Sequence, residues 1–280
     1  MIKTTPSTKI DQSLDYIRAH CDLTPSIAII LGSGLGNFAD TLHSQIAIDT
    51  SQIPHYPPST VEGHQGRLIF GYVKQVPILA VQGRTHYYEG HSISDVAYVV
   101  RLMARLGIKL LIVTNAAGGV NPRFKPGDLM IISDHINFMF RNPLRGPQLS
   151  GESRWADMNN AYDRKHTEII EQAGKRIRIP LKKGVLFVST GPTYETNSEV
   201  KMARHFGADA VSMSTIPEVL AARASQIKVI GISCITNLAT GLSASPLSHN
   251  EVTEIAKSVN SKFQRLLTEI ITILGKKLKT

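Results

Sequence analysis

A strand-like run and a helix-like run meet at Gly83-Arg84-Thr85-His86-Tyr87-Tyr88-Glu89-Gly90. The run before it, residues 77–82, is apolar, and the run after it begins near Ser94. An arginine and a histidine two residues apart, between glycines that free the backbone, favour a bound anion. The adjacent tyrosines add flat apolar surface with a polar tip, which suits a sugar or a ring. A solvated loop with neighbouring basic residues is the alternative interpretation of these eight residues alone.

Length and composition limit the possible classes of protein. A chain of 280 residues can form one large α/β domain or two smaller ones. Its 42% hydrophobic and 19% charged content is typical of a globular protein. Lys and Arg exceed Asp and Glu by 31 to 22, but the basic clusters at residues 175–178, 182–183 and 276–279 lack interleaved aromatic residues. The charge therefore predicts a solvated surface that attracts anionic substrates, and no nucleic-acid partner.

Cysteine usage and hydropathy predict a cellular setting. The two cysteines, Cys21 and Cys234, lie far apart, which argues against a disulfide framework or a thiolate metal site. Residues 1–12 are polar, and no apolar run approaches the length that spans a membrane. No cluster of Asp or His has the spacing of metal ligands, so we expect no metal. We expect a soluble, cytoplasmic protein with no membrane partner.

Strand-like and helix-like runs alternate along the whole chain. Strands are predicted at residues 27–31, 68–73, 76–82, 108–113, 129–133, 185–189, 210–213 and 227–235. Helices are predicted at residues 8–19, from near Ser94 to Gly107, at residues 165–176, and after Thr196, Thr215 and Ser248. This alternation predicts a single α/β domain over residues 1–280, with a mixed, mainly parallel twisted sheet flanked by helices. The irregular connection at residues 137–162 is predicted to be functional or to form subunit contacts.

Three helix starts carry the capping-box pattern, a Ser or Thr followed three residues later by Glu. The pairs are Thr196 with Glu199, Thr215 with Glu218, and Ser248 with Glu251. The second pair, with Pro217 in the first turn, places Ser214 at a helix N-terminus. Free N–H groups and the helix macrodipole attract anions there.

A glycine-rich loop, residues 32–36, follows the first predicted strand. A dinucleotide-binding fingerprint would need glycine at the position of Asn37, and the lysine of a phosphate-binding P-loop is also missing. What remains is a serine hydroxyl, Ser33, among free backbone N–H groups. Such a loop suits a small anion.

Polar residues collect where the predicted strands end, which is where ligands bind in open α/β sheets. Ser33, Arg84, His86, Ser214 and the backbone at Ala116 are donors fitted to a phosphate-sized anion. Tyr88, Met213 and His249 can cover a sugar. Glu195 and Asn237 supply an acceptor and an amide that can read the edge of a nucleobase. One pocket can collect all of these residues.

Seven motifs in chain order resemble those of purine nucleoside phosphorylases of the homotrimeric type. They occupy residues 31–36, 63–67, 83–90, 114–119, 191–196, 213–218 and 236–237. The resemblance implies the nucleoside phosphorylase fold and a role in purine salvage. The implied reaction is reversible phosphorolysis of purine ribonucleosides or deoxyribonucleosides to the free base and a sugar 1-phosphate. Inorganic phosphate would be a co-substrate, and no cofactor would be needed.

The resemblance also implies roles for individual residues. Ser33, Arg84, His86, Ala116 and Ser214 would hold phosphate, with His64 near its entrance. Tyr88, Met213 and His249 would line the ribose, and Tyr194, where the family often has Phe, would stack on the base or sugar. Glu195 would accept from the N1–H of the base and Asn237 would bond its N7/O6 edge; with His86 they are the expected catalytic residues.

Substrate preference and assembly follow from the same resemblance. A carboxylate at position 195 favours inosine and guanosine, because adenine lacks the N1–H. Activity on xanthosine is left open. A homotrimer is expected, with a hexamer also open. Trp155 aligns roughly with an aromatic residue lent by the neighbouring subunit, although the spacing around it differs by one residue.

Two hypotheses from other classes remain at this point. A nucleotide-binding regulatory module explains the glycine loops without needing Glu195, Asn237 and His249 together. A nucleic-acid-binding protein explains the charge, but its basic clusters lie away from the strand ends. Phosphate-dependent release of hypoxanthine from inosine separates both from the enzyme.

Overall fold

The computed structural model describes the backbone at residues 6–243 and 249–277, and the side chains at residues 8–243 and 252–277. Its strands are β1 (Ile27–Leu31), β2 (His43–Asp49), β3 (Arg67–Val73), β4 (Val76–Gln82), β5 (Leu110–Gly119), β6 (Leu129–Asn137), β7 (Leu181–Val188), β8 (Ala210–Ser212) and β9 (Lys228–Leu238). Its helices are α1 (Pro6–His20), α2 (Ile93–Val96), α3 (Tyr98–Leu106), α4 (Arg164–Arg176), α5 (Asn197–His205), α6 (Ile216–Ala224), α7 (His249–Ser258) and α8 (Asn260–Lys277). Among these helices, none is long and apolar enough to cross a membrane.

The strands form one mixed sheet in the order β2-β3-β4-β1-β5-β8-β7-β6-β9. Strand β5 also pairs with β9, which closes β5, β8, β7, β6 and β9 into a ring. Strands β4, β1, β5 and β9 run parallel to one another, so their carboxyl ends meet at one edge. The prediction of a mixed, mainly parallel sheet flanked by helices is confirmed.

Strand β1 shows why the sheet is covered on both faces. All five of its side chains are buried, because a strand turns alternate side chains to opposite faces and helices cover each face. Ala28 and Ile30 pack into one core with α1, α3 and α6. Ile27, Ile29 and Leu31 pack into a second core with α4 and α8. Each large apolar side chain buried in this way contributes about 1.5–3 kcal/mol to stability.

The structure corrects the predicted bounds of four strands: β6 ends four residues later than predicted, β7 begins four residues earlier, and β5 and β9 also end later. The sequence predicts that strands end before Thr114 and Thr236, but β5 continues to Gly119 and β9 to Leu238. The two extensions pair with each other, with a register shift after Ala117, so ladder hydrogen bonds override the low strand preference of glycine and asparagine. Asn115 and Asn237 therefore project from strands and not from loops.

Other elements differ in smaller ways. The predicted helix that ends at Gly107 is two helices, α2 and α3, which meet at Ala97. The predicted C-terminal helix is also two, α7 and α8, separated by Val259. Edge strand β2 was not predicted, because most of its side chains are exposed and its pattern is weak. The capping box of Thr196 and Glu199 is confirmed by three hydrogen bonds, whereas that of Ser248 lies outside the described residues.

Candidate active site

A pocket with about 730 Å³ of empty space opens at the edge where β4, β1, β5 and β9 end. The predicted site residues that line it are Ser33, Arg84, His86, Tyr88, Ala116, Tyr194, Glu195, Met213, Ser214 and Asn237. The pocket is assembled from distant parts of the chain because parallel strands bring their carboxyl ends to one edge of the sheet.

Three predicted residues do not line the pocket with described side chains. His64 lies just behind it, with its Nε2 3.2 Å from Ser33 Oγ. His249 begins helix α7, but its side chain lies outside the described ones. Trp155 is 88% exposed, in the irregular connection between β6 and α4. The chain's own pocket therefore forms without Trp155.

Arg84 lies two residues past β4 and is fixed from three directions. Its Nη1 donates to Ser214 Oγ at 2.8 Å and to Thr215 Oγ1 at 2.9 Å. Its Nη2 donates to the main-chain oxygen of Thr114 at 2.7 Å, which joins it to β5. A guanidinium cannot lose its proton in a protein, so these bonds hold a fixed positive charge at the wall of the pocket.

Thr215 occupies a strained turn at the start of α6. Its φ is +86°, and Ile216 N–H donates to Ser214 O at 3.1 Å, which is the pattern of a γ-turn centred on Thr215. Positive φ is unfavourable for a β-branched residue and persists only where surrounding structure enforces it. Here the side chain is fully buried and its hydroxyl accepts from Arg84.

The predicted capping box of Thr215 and Glu218 is wrong. Thr215 makes no side-chain cap bond, and Glu218 lies with Oε1 3.6 Å from Arg84 Nε. Both side chains turn toward the arginine, so neither is available to the first N–H groups of α6. The N–H of Ile216 is bonded to Ser214 O and Pro217 has none, so the attraction for an anion at this end comes from the Ser214 hydroxyl and the helix macrodipole.

Three aromatic rings stack beside Arg84. The ring centroids of His64 and His86 are 5.2 Å apart, and those of His86 and Tyr88 are 4.6 Å apart. Burial, and then the neighbouring His86, lowers the pKa of His64 to about 4. Burial also lowers the pKa of His86, although the hydrogen bond that His86 donates to Glu89 opposes the shift. Both imidazoles are therefore biased toward the neutral form.

Glu89 orients His86. Its Oε1 accepts from the backbone N–H of His86 at 2.6 Å and lies 3.1 Å from the ring Nδ1. Its Oε2 accepts from the Thr60 hydroxyl at 2.8 Å. Burial raises the pKa of Glu89, but the hydrogen bonds from His86 and Thr60 outweigh burial and hold it at about 2. With a proton on Nδ1 toward this carboxylate, the Nε2 of neutral His86 is an acceptor.

Glu195 and Asn237 form the other end of the pocket. Ser189 Oγ donates to Glu195 Oε1 at 2.9 Å. Burial raises the pKa of Glu195, and bonds from its own N–H and from Ser189 offset part of that rise. Thr236 Oγ1 donates to Asn237 Oδ1 at 2.9 Å, and Asn237 Nδ2 donates to Leu238 O at 3.0 Å. The Asn237 amide is thus held in one orientation. The bond to Leu238 O uses one of its two N–H groups.

Two glycines allow the close packing that shapes the pocket wall. A Cβ on Gly32 would lie 2.7 Å from Asn115 Cα and 2.8 Å from Thr114 O, both in β5. A Cβ on Gly118 would lie 3.2 Å from Asn237 Nδ2. Glycine at these positions lets β1 and β5 approach each other and leaves room for the Asn237 amide.

Sequence reasoning missed several residues that organise the site. They are Glu89, Ser189, Thr215 and Glu218, which bind site residues directly, and Ser212, which accepts from Asn115 Nδ2 at 3.0 Å. Glu218 did carry a sequence signal, but its position in a helix's first turn favoured a capping role. Ser189 is recognisable only from its tertiary contact. Within the described ranges, no group of three or more His, Cys, Asp or Glu residues could hold a metal ion.

Comparison with known proteins gives concordant matches. The profile of the Phosphorylase superfamily matches residues 26–272. Purine nucleoside phosphorylase 1 of Bacillus subtilis is 47% identical over 264 residues, covering 94% of this chain and 97% of that protein. The purine nucleoside phosphorylase of Schistosoma mansoni superimposes with a TM-score of 0.89 in complex with adenosine and in complex with inosine. Those two structures are 36% and 35% identical to this chain, and each match covers 94% of this chain and 95% of the other. With this fold, this pocket and these matches, the chain belongs to the phosphorylase superfamily and, within it, to the purine nucleoside phosphorylases.

Proposed function

We propose that this protein catalyses the reversible phosphorolysis of purine nucleosides and deoxynucleosides, giving the free base and ribose or deoxyribose 1-phosphate in purine salvage. The observation that carries the proposal is that one pocket combines two complementary ends. Arg84, Ser33 and Ser214 make one end suited to an anion. Glu195 and Asn237 make the other end suited to the polar edge of a purine.

Phosphate binds at the Arg84 end in this proposal. The guanidinium supplies positive charge, and Ser33, Ser214 and the Ala116 backbone supply neutral donors, with His64 behind Ser33. The uncapped N-terminus of α6 adds its own attraction for an anion. Tyr88, Met213 and His249 line the ribose between phosphate and base.

The reaction exchanges one bond at C1′ for another. The bond from C1′ to N9 breaks with its electron pair going to the purine, and a phosphate oxygen forms the new bond to C1′. The sugar carries cationic character in between, and the bound phosphate both stabilises that charge and attacks it. Catalysis is then positioning and electrostatic stabilisation, with no covalent enzyme intermediate and no cofactor.

The departing purine is stabilised at its own edge. Asn237 bonds the N7/O6 edge as N7 takes up a proton from solvent water, Glu195 accepts from N1–H, and Tyr194 stacks on the base or sugar. His86 donates its Nδ1–H to Glu89, so its neutral Nε2 can accept from a phosphate hydroxyl, and the ring donates to phosphate only when it is protonated. Support for these roles comes from the lining of the pocket and from the hydrogen bonds that orient Glu195 and Asn237.

Glu195 also determines which purines are preferred. Inosine and guanosine offer an N1–H donor to the carboxylate, whereas adenosine leaves it without one. The Schistosoma mansoni relative was solved with adenosine as well as inosine, so adenosine belongs in any test of this preference. Xanthosine is a third candidate that shares the N1–H.

Assembly and location complete the proposal. We propose a homotrimer, supported by the exposure of Trp155 and Phe140 in the connection after β6. In that trimer Trp155 reaches toward a neighbouring site. Cytoplasmic location stays a prediction.

The decisive assay is a panel of inosine, guanosine, xanthosine and adenosine, each with and without inorganic phosphate, with the released base measured by chromatography. We expect release only with phosphate, and at least about tenfold higher kcat/KM for inosine and guanosine than for adenosine. Equal release without phosphate would show a hydrolase instead. Tight nucleotide binding with no release would favour the regulatory module.

A further inference from the structure

We propose that Glu218 is the resting counterion of Arg84, which neutralises the buried guanidinium while the pocket holds no anion and thereby sets how tightly phosphate binds. The proposal deepens the function proposed above and rests on it for the identity of the anion. In this view Glu218 is a positioning residue, which acts on phosphate only through Arg84.

The pair is unusual in its burial and geometry. The side chains of Arg84 and Glu218 are 2% and 1% exposed, and the closest atoms, Nε and Oε1, are 3.6 Å apart. That distance is too long for a hydrogen bond, and in the described part of the chain neither Nε nor either carboxylate oxygen has a hydrogen-bond partner. The two groups therefore interact through charge alone.

A buried carboxylate without hydrogen bonds is costly, so its presence calls for a reason. Capping of α6 is not the reason, because Thr215 and Glu218 form no capping box. The remaining hydrogen bonds of Arg84 go to neutral oxygens of Ser214, Thr215 and Thr114. Glu218 is the group that supplies the opposite charge.

Phosphate changes this balance. A bound phosphate brings up to two negative charges to the face of Arg84 that lines the pocket, while Glu218 stays behind the guanidinium. The carboxylate then repels the phosphate across the arginine, in an interior where charges are weakly screened. Glu218 thus stabilises the phosphate-free fold and weakens phosphate binding by the same interaction, as linkage between the two requires.

The substitution Glu218→Gln removes the negative charge of the side chain and keeps its shape. In Glu218→Gln the amide oxygen can still face Nε, but Arg84 loses its counterion. We expect the KM for phosphate to fall about tenfold, with kcat within threefold of the parent. We also expect the unfolding temperature to fall without phosphate and to recover most of the loss in saturating phosphate.

A second buried ion pair provides a matched control. Arg101 Nε lies 2.6 Å from Glu152 Oε1, the two side chains are 6% and 8% exposed, and neither residue lines the pocket. Glu152→Gln should lower the unfolding temperature equally with and without phosphate and leave the phosphate KM unchanged. Should Glu218→Gln fail to fold in buffer alone, expression and refolding in phosphate should rescue it. Glu218→Asp, which keeps the charge on a shorter stem, should change the phosphate KM by less than Glu218→Gln does.

The outcomes separate this inference from the proposed function. If the parent releases hypoxanthine with phosphate but Glu218→Gln keeps the parent's phosphate KM, or loses stability equally with and without phosphate, the counterion role is wrong. If the parent shows no phosphate-dependent release, the proposed function is wrong, whatever the result for Glu218→Gln. A phosphate-dependent thermal shift that grows in Glu218→Gln and not in Glu152→Gln supports the counterion role in either case.

Discussion

Replacing Asn237 with alanine should remove most of the catalytic power of the pocket. Thr236 Oγ1 fixes the amide oxygen at 2.9 Å, and the amide's first N–H is held by the main-chain oxygen of Leu238 at 3.0 Å. The second N–H is therefore aimed before the reaction starts, as an electrostatic catalyst requires. Its target is the purine as that ring takes up negative charge.

The size of the effect follows from this pre-orientation. Losing one donor to a developing negative charge costs about 3–4 kcal/mol in the barrier. Since each 1.36 kcal/mol is a factor of ten, kcat should fall about 10²- to 10³-fold. Stability should change little, because the Thr236 hydroxyl loses one acceptor, worth about 1 kcal/mol.

The assay is initial-rate hypoxanthine release from inosine at saturating phosphate, with the phosphate-induced thermal shift as a separate measure of phosphate binding. Asn237→Ala should keep the thermal shift and lose the rate. Thr236→Val, which keeps the volume but releases the amide, should lose about tenfold. An Asn237→Ala rate within threefold of the parent would refute the role of the amide.

Three further predictions follow from the contacts around the site. Ser189→Ala should raise the pKa of Glu195 further, because it removes a hydrogen bond to the charged carboxylate. The acid limb of kcat/KM for inosine should therefore move to higher pH. Ser189→Thr, which keeps the hydroxyl, should keep the parent's pH profile. Glu89, whose pKa is lowered from 4.5 to about 2, contributes stability that is complete above pH 4.5 and lost as pH falls toward 2, so acid unfolding curves of Glu89→Gln should be flatter in that range. Gly32→Ala should cost stability and activity because its Cβ would strike β5 backbone at 2.7 Å, whereas Gly36→Ala, with its nearest contact at 3.5 Å, should leave the unfolding temperature close to that of the parent.

Much of the fold could be predicted because local patterns and tertiary structure agree. The run at residues 27–31 is apolar at every position, and burial from both faces explains it. The extensions of β5 and β9 could not be predicted, because Asn115, Gly118 and Asn237 are poor strand formers that are held in place only by pairing across the ring. Propensity fails where tertiary contacts supply the hydrogen bonds.

The site residues also divide into those that the sequence predicts and those that it does not. Residues at strand ends, such as Ser33, Arg84 and Glu195, could be assigned to one pocket because parallel strands end together. Glu218 could not, because a Glu three residues after a Thr has a local explanation as a cap. The structure overrides that explanation through Arg84, a residue 134 positions earlier in the chain. Contacts of this kind carry no local signal.

Phosphorus-31 NMR of the sugar phosphate formed from inosine, with hypoxanthine and free ribose measured by chromatography in the same samples, tests most directly whether phosphate meets the anomeric carbon in this pocket. With inorganic phosphate present, we expect ribose 1-phosphate to appear in equal amount to hypoxanthine, and Arg84→Ala to abolish both. Free ribose in place of the sugar phosphate, or hypoxanthine released at the same rate with no phosphate added, would contradict the account.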